Sequence, residues 1–498
     1  MSSTSTEVGR FFKHSGIYAI GNALNRVGAF LLLPIYTRLL TPAEYGTLET
    51  LYLVSSVVSG VLGVGIAHAT LRFYFDYKDA ADRRSVVSTN LIASTAISTA
   101  GVLVVALFST PLAGWLFKGQ GISNLGGAMH WMLATIVFEL ASQVGLAYVR
   151  AVERSMLFIV VSFVKLVVQV IANSVALMHF DAGVEGVMAG NCLTVALGFA
   201  VLSWVTLREC GLRFEWAKLM PVLRYSLPLL WTTMVGIVAS TADRFLLQSL
   251  VSLEALGIYA LALKLSKLAS DLVGEPINRA YGAFRFTIME RDDAGTIQAQ
   301  VVRYLAVILS LIGLAIVLFA GDALRLIAAP AYWSAARYLP WLVLAAVLQV
   351  LTYPLQTGIY YQKQSSQIFH VALAACIAGL VLGVPLIWAF GILGACWTVL
   401  GVAIVSVLMT DRISQRYFQV RYEGRKLAAL LVLVVAVAVA GQFADRLPLL
   451  WSLPLRFVLG AIFLAGIVMA RVIEPAELAM ARAKLLQRFG RQPSGAAA

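Results

Sequence analysis

Four cationic side chains, Arg26, Lys165, Lys264 and Lys267, fall inside long apolar runs of this chain, together with the carboxylates Glu139 and Asp271. An ionised group costs roughly 2.5 to 3.5 kcal/mol at the centre of a lipid-facing helix, so such residues are expected to turn toward a water-filled cavity or a partner. Counted at about 1.5 Å per helical residue, Arg26, Glu139, Lys165 and Lys264 come out at a common depth, near mid-membrane. Lys brings three N–H donors on a point charge and Arg a planar fork, the donor sets that hold phosphoryl oxygens, so cations at this depth suit a diphosphate headgroup. The competing reading pairs Lys165 with Glu139 and Lys267 with Asp271 for helix packing alone. The cations outnumber the carboxylates, and that reading leaves charge over.

Each of these residues belongs to a polar stripe. Asn22, Asn25 and Arg26 share one helical face, Thr135, Glu139, Ser142 and Gln143 a second, and Ser162, Lys165 and Gln169 a third. Lys264, Lys267, Asp271 and Glu275 recur at i, i+3, i+7 and i+11, an arc of about 80° on a continuous α-helix. The candidate site is therefore Arg26, Lys165, Lys264 and Lys267 as substrate-holding cations, with Asn22, Asn25, Glu139, Gln143, Gln169, Asp271 and Glu275 as cavity or ion-coupling groups. Asp243 and Arg244 are adjacent in a span and nearer its outer interface, as gate candidates. Neighbouring helix positions diverge, so they are not expected simply to neutralise each other. Arg72, Arg279 and Arg285 fall at cytoplasmic span ends, where snorkelling to lipid phosphates is the plain expectation.

Other chemistries lack their residues. No Lys is followed by Ser or Thr, so the chain has no P-loop for nucleotide. It carries no H-E-x-x-H and no G-x-S-x-G motif, and its five histidines are scattered. Cys192, Cys210, Cys376 and Cys396 show no C-x-x-C spacing and read as apolar filler. No catalytic residue, metal site or cofactor is expected. A net charge of +13 could suggest nucleic acid, but Lys and Arg accumulate in the cytoplasmic loops of membrane proteins, so their distribution carries the information.

The elements that position the stripes follow from composition. Of 498 residues 60% are hydrophobic and 13% charged, against roughly 25% charged in a soluble domain. A span takes about 20 apolar residues, and long runs without period-two alternation select helices over a barrel. The fold class is all-α and polytopic, with about fourteen spans near 16–37, 47–69, 86–108, 128–149, 156–179, 184–206, 226–249, 255–276, 302–320, 338–360, 368–388, 391–410, 427–444 and 455–473. The stretch from Ser15 to Leu40 is too long and polar for a cleaved signal and is expected to remain as the first span. Lys and Arg crowd the connections on the N-terminal side and are sparse on the other, which places both termini in the cytoplasm of a bacterial inner membrane.

Sliding the chain against itself brings Ser15 onto Ser226, and Leu39, Thr41 and Gly46 onto Leu250, Ser252 and Gly257, without a gap. The same shift lays Ser155-Met156-Leu157-Phe158 on Ser366-Gln367-Ile368-Phe369, and with three residues dropped Gly183-Val184-Glu185-Gly186 falls on Gly391-Ile392-Leu393-Gly394. Six spans thus recur as six, in parallel orientation because six is even, with a pathway expected between the halves. The organisation expected is an N-lobe over 1–206, a cytoplasmic linker 207–225, a C-lobe over 226–410, two further spans within 411–473 and a cytoplasmic tail 474–498.

The run from Leu33 through Pro34, Tyr36, Arg38, Thr41, Pro42 and Glu44 to Gly46 resembles the first hairpin of Wzx-type polysaccharide flippases, members of the multidrug/oligosaccharidyl-lipid/polysaccharide exporter superfamily. Arg72-Phe73-Tyr74 and the repeated Gly-x-x-Gly turns are similar to the same group. The resemblance implies two six-helix lobes around a central cationic cavity, alternating access, and an undecaprenyl-diphosphate-linked oligosaccharide as cargo for cell-surface polysaccharide such as O-antigen or exopolysaccharide. It further implies coupling to H+ or Na+ and other polysaccharide-assembly proteins as partners. A multidrug or cation antiporter of the superfamily should centre on membrane carboxylates, whereas this chain favours cations. A membrane polymerase or ligase acting on the same lipid should carry a large outward loop, and none is present.

Overall fold

A computed structural model describes residues 28, 30–117, 125–288, 291–362, 364, 366–444 and 449–473. Among them every regular element is helical: α1 (Phe30–Leu39), α2 (Pro42–Gly63), α3 (Ile66–Asp76), α4 (Ala80–Leu107), α5 (Ser109–Phe117), α6 (Leu125–Ala151), α7 (Ser155–Met178), α8 (Gly183–Cys210), α9 (Trp216–Leu250), α10 (Leu253–Ala269), α11 (Glu275–Ile288), α12 (Ala294–Ile327), α13 (Leu339–Leu355), α14 (Thr357–Tyr361), α15 (Ser366–Phe390), α16 (Ile392–Tyr417), α17 (Gly424–Ala444) and α18 (Leu449–Met469). Eleven helices are long and apolar enough to cross a membrane. A twelfth crossing is α9, bent by 45° past Pro228, where the ring removes a backbone donor and clashes with the preceding turn. The expected span at 255–276 is α10 running through a π turn, Ser270–Gly274, into α11. The first expected span lies largely outside the described residues.

The chain forms two compact units. The first comprises 1–260, 327–333 and 379–395, and the second 261–326, 334–378 and 396–498. In the first, Ile66, Val86, Val87, Leu91, Ala141, Val144 and Val222 form a core joining α3, α4, α6 and α9. Thr41 caps α2 in a reciprocal capping box with Glu44, and Ser252 caps the start of α10 by accepting from the Ala255 N–H at 3.1 Å. The repeated Gly-x-x-Gly turns also fold alike: Gly183 and Gly391 both take positive φ, 51° and 58°, just where α8 and α16 begin, a conformation that costs glycine nothing.

In the second unit Leu314, Leu318, Leu430, Val437, Leu459 and Phe463 pack α12, α17 and α18 together. Arg303 and Arg456, which the apolar runs place at span edges, lie instead inside helices and are each 2% exposed. The reason is that α12 begins at Ala294, well before its apolar run, and so carries Arg303 inward. Arg303 pairs with Glu423 at 2.9 Å, and Arg456 pairs with Asp322.

Candidate functional site

In the first unit Glu139 and Lys165 stand near the middles of α6 and α7, both half-buried. They sense each other as opposite charges without closing an ion pair. The stem of Lys165 lies over Gly198 of α8, where a side chain's Cβ would sit 3.0 Å from the lysine Cδ. The missing side chain at Gly198 thus makes the space that the lysine occupies.

One turn along α7, Gln169 donates to the Asn191 Oδ1 of α8 at 3.1 Å. Asn173 donates to the same oxygen at 3.1 Å and to the Tyr36 hydroxyl at 2.6 Å, and Asn191 donates to the Tyr52 hydroxyl at 2.8 Å. Gln143 is exposed on α6 and takes no part. The network leads to Glu49 of α2, 4% exposed, which accepts a hydrogen bond from Tyr45 and lies near Tyr36. The stripe reading missed Glu49, Asn173 and Asn191. A signal existed, since Tyr45, Glu49 and Tyr52 recur at i, i+4 and i+7 on one face of α2.

Asp243 accepts from the hydroxyl of Tyr259, a fully buried residue. Arg244 donates to the Ser240 carbonyl at 2.6 Å, and its Nε lies 3.9 Å from the Asp243 carboxylate. The expectation that adjacent side chains cannot neutralise each other is corrected here, because the long arginine stem folds back over its neighbour. Close by, α2 and α10 meet backbone to backbone. A Cβ on Gly46 would fall 1.9 Å from the Leu253 carbonyl oxygen, and one on Gly257 2.0 Å from that of Pro42. The contact is reciprocal: Pro42 and Gly46 meet the residues that the internal alignment makes their own counterparts.

In the second unit Lys264 is half-buried and Lys267 exposed on α10, with Asp271 in the π turn that follows. All three make polar or ionic contacts. The predicted stripe assumed one continuous α-helix. Bonding from i to i+5 turns the chain less per residue, so Glu275, at the start of α11, is carried out of the α-helical register of Lys264 and Lys267. A π turn inside a span frequently marks a functional segment. Arg26, Asn22 and Asn25 lie outside the described residues.

The second unit also holds a cavity of about 470 Å³ lined by α12, α13, α16 and α17. Its walls are nearly all aliphatic, among them Val302, Leu314, Val347, Leu351, Leu430 and Val434, while Asp411 and Tyr422 stand near the start of α17 and Gln442 near its far end. Such a shape fits a hydrocarbon chain with a polar group at one end.

Residues 35–284 match the family model described as polysaccharide biosynthesis protein. The chain belongs to that family. Its fold is shared with the lipid II flippase MurJ in an inward closed conformation, at a TM-score of 0.70 and 10% identity over 95% of this chain and 99% of that one. An inward-facing multidrug resistance MATE family transporter of the MOP superfamily superposes at a TM-score of 0.61 and 14% identity, over 78% and 94% of the two chains. The Vibrio cholerae MATE transporter VcmN gives 0.55 and 16%, over 84% and 98%. No curated protein matches the chain by sequence. The resemblance read from Leu33 to Gly46 is thereby borne out in family and in fold: this is a multi-pass helical membrane protein of transporter architecture.

Proposed function

We propose that the protein is a flippase that carries a polyprenyl-diphosphate-linked oligosaccharide from the cytoplasmic to the periplasmic leaflet of a bacterial inner membrane by alternating access. The observation that carries this reading is membership of a polysaccharide biosynthesis family on a fold shared, along nearly its whole length, with a flippase of lipid II. The site chemistry supports it. Lys165, Lys264 and Lys267, with Arg26, supply cations for the diphosphate, several moderate contacts rather than one closed site, so that cargo is released on the far side. The aliphatic cavity in the second unit suits the polyprenyl tail. The two lobes, 15–206 and 226–410, are related by a rotation about the membrane normal, and the reciprocal contact of Gly46 with Gly257 supports that relation.

Without a nucleotide site, the driving force is an ion gradient, with Glu139 and the buried Glu49 as its carboxylates. The termini lie in the cytoplasm, as the distribution of Lys and Arg indicates. Expression of Arg26→Ala or Lys264→Ala in a strain deleted for the protein tests the reading. Both are expected to abolish surface polysaccharide at unchanged protein level, and Arg26→Lys to retain part of it, because the charge survives but the bidentate fork does not. Wild-type polysaccharide from Arg26→Ala and Lys264→Ala would refute the cationic path.

A further inference from the structure

Arg285 on α11 does not snorkel to the surface. The residue is 5% exposed, and its guanidinium carbon lies 4.5 Å from the ring centre of Tyr360 and 5.4 Å from that of Tyr281. The other deeply buried arginines of the second unit, Arg303 and Arg456, each hold a carboxylate. Among the described residues Arg285 holds none, and its Nε makes no hydrogen bond. Two aromatic faces offset part of the cost of burying that cation, but a ring quadrupole does not replace a counter-charge.

The surroundings fix the arginine in place. The Tyr281 hydroxyl donates to Gln298 and lies 3.1 Å from the Thr357 hydroxyl, while Gln298 donates to the Pro354 carbonyl at 2.6 Å. Gln298 and Thr357 are 1% and 2% exposed, so the floor under the guanidinium is rigid. Tyr360 is 38% exposed and forms the accessible wall. Stacking uses the faces of a guanidinium and leaves its N–H rim, the part that binds oxyanions in bidentate fashion.

We propose that Arg285, walled by Tyr281 and Tyr360, anchors a phosphoryl-anion site where α11 turns toward α12. On the topology proposed above, on which this inference rests, that is the cytoplasmic end, where the diphosphate of the cargo is first held. A phosphoryl group reaches such a site from two sources, a polyprenyl diphosphate or an anionic phospholipid headgroup.

The test uses the full-length protein in phosphatidylcholine nanodiscs, titrated with a short-chain polyprenyl diphosphate and with the matching uncharged polyprenol, and in a second arm native mass spectrometry of retained phosphatidylglycerol. Arg285→Gln should weaken diphosphate binding about ten-fold or more, Arg285→Lys should weaken it less, and polyprenol binding should not change. Tyr360→Ala, at a partly exposed wall, should also weaken the diphosphate and keeps the test valid if Arg285→Gln fails to fold. Loss confined to phosphatidylglycerol retention would support the anion site and assign it to membrane lipid. If Arg285→Gln and Tyr360→Ala bind both phosphoryl ligands as the wild type does, the site does not exist. Failure of the transport reading looks different: the wild type would bind no polyprenyl diphosphate while phosphatidylglycerol retention still depended on Arg285.

Discussion

Replacing Gly257 by Ala places a Cβ 2.0 Å from the Pro42 carbonyl oxygen, and Gly46→Ala places one 1.9 Å from that of Leu253. Carbon and carbonyl oxygen in contact stay about 3.3 Å apart or more, so α2 and α10 must separate by more than about 1 Å. Both obstructing atoms are backbone, and no side chain can swing aside to absorb the change. Overpacking of this kind costs about 1 to 3 kcal/mol, which shifts a two-state equilibrium roughly five- to hundred-fold. Under alternating access, the state in which these helix ends touch loses that much against the state in which they part. A reporter thiol, Ala43→Cys, in a Cys376→Ser background reads the opening through its labelling rate with an impermeant maleimide, since the other native thiols, Cys192, Cys210 and Cys396, are buried. Both glycine variants should label several-fold faster and export less polysaccharide. If either labels, melts and transports like the wild type, α2 and α10 are not in backbone contact and the reasoning fails.

Two further outcomes follow from buried or bridged charges. Asp322→Asn leaves the almost fully buried Arg456 without its counter-ion; thermal unfolding in detergent should show a loss of about 3 to 5 kcal/mol, largely recovered by the double replacement Asp322→Asn with Arg456→Met. The Glu215 carboxyl is held below the usual range, first by the Ser85 hydroxyl and then by Lys218. Its stabilising effect is present above the carboxylate's unfolded pKa and disappears as pH falls through the depressed folded value, so melting temperature should hold from neutral pH down to about 5 and decline below about 4. Glu215→Gln should flatten that decline, and an unchanged acid limb would count against the bridge.

Much of the fold was legible because lipid imposes a length and a composition on every span. The expected spans at 86–108, 156–179 and 391–410 are α4, α7 and α16, and the Gly-x-x-Gly turns landed where positive φ was needed. The internal alignment found Gly46 and Gly257 as counterparts, but nothing in it said that they touch, because contact depends on packing that an alignment does not carry. The π turn at 270–274 was invisible for a similar reason: a stripe counted at a fixed angle cannot register a local change of pitch. Arg303 and Arg456 read as span edges since hydropathy penalises any charge, paired or not. Glu49 stood in plain sight within the opening hairpin motif, but its burial comes from α1, α7 and α8 closing over it, with Tyr36 and Asn173 near it.

The most direct test of the account is translocation by the purified protein. Proteoliposomes carrying a fluorescent polyprenyl-diphosphate-linked oligosaccharide are assayed for its appearance in the opposite leaflet by chemical quenching, with wild type, Lys165→Ala, Lys264→Ala and a variant in which Arg26, Lys165, Lys264 and Lys267 are all Ala. The account predicts protein-dependent translocation, reduced by each single replacement and abolished by the fourfold one, with the folded protein intact. Undiminished translocation by the fourfold variant, or none by the wild type under an imposed proton or sodium gradient, would contradict it.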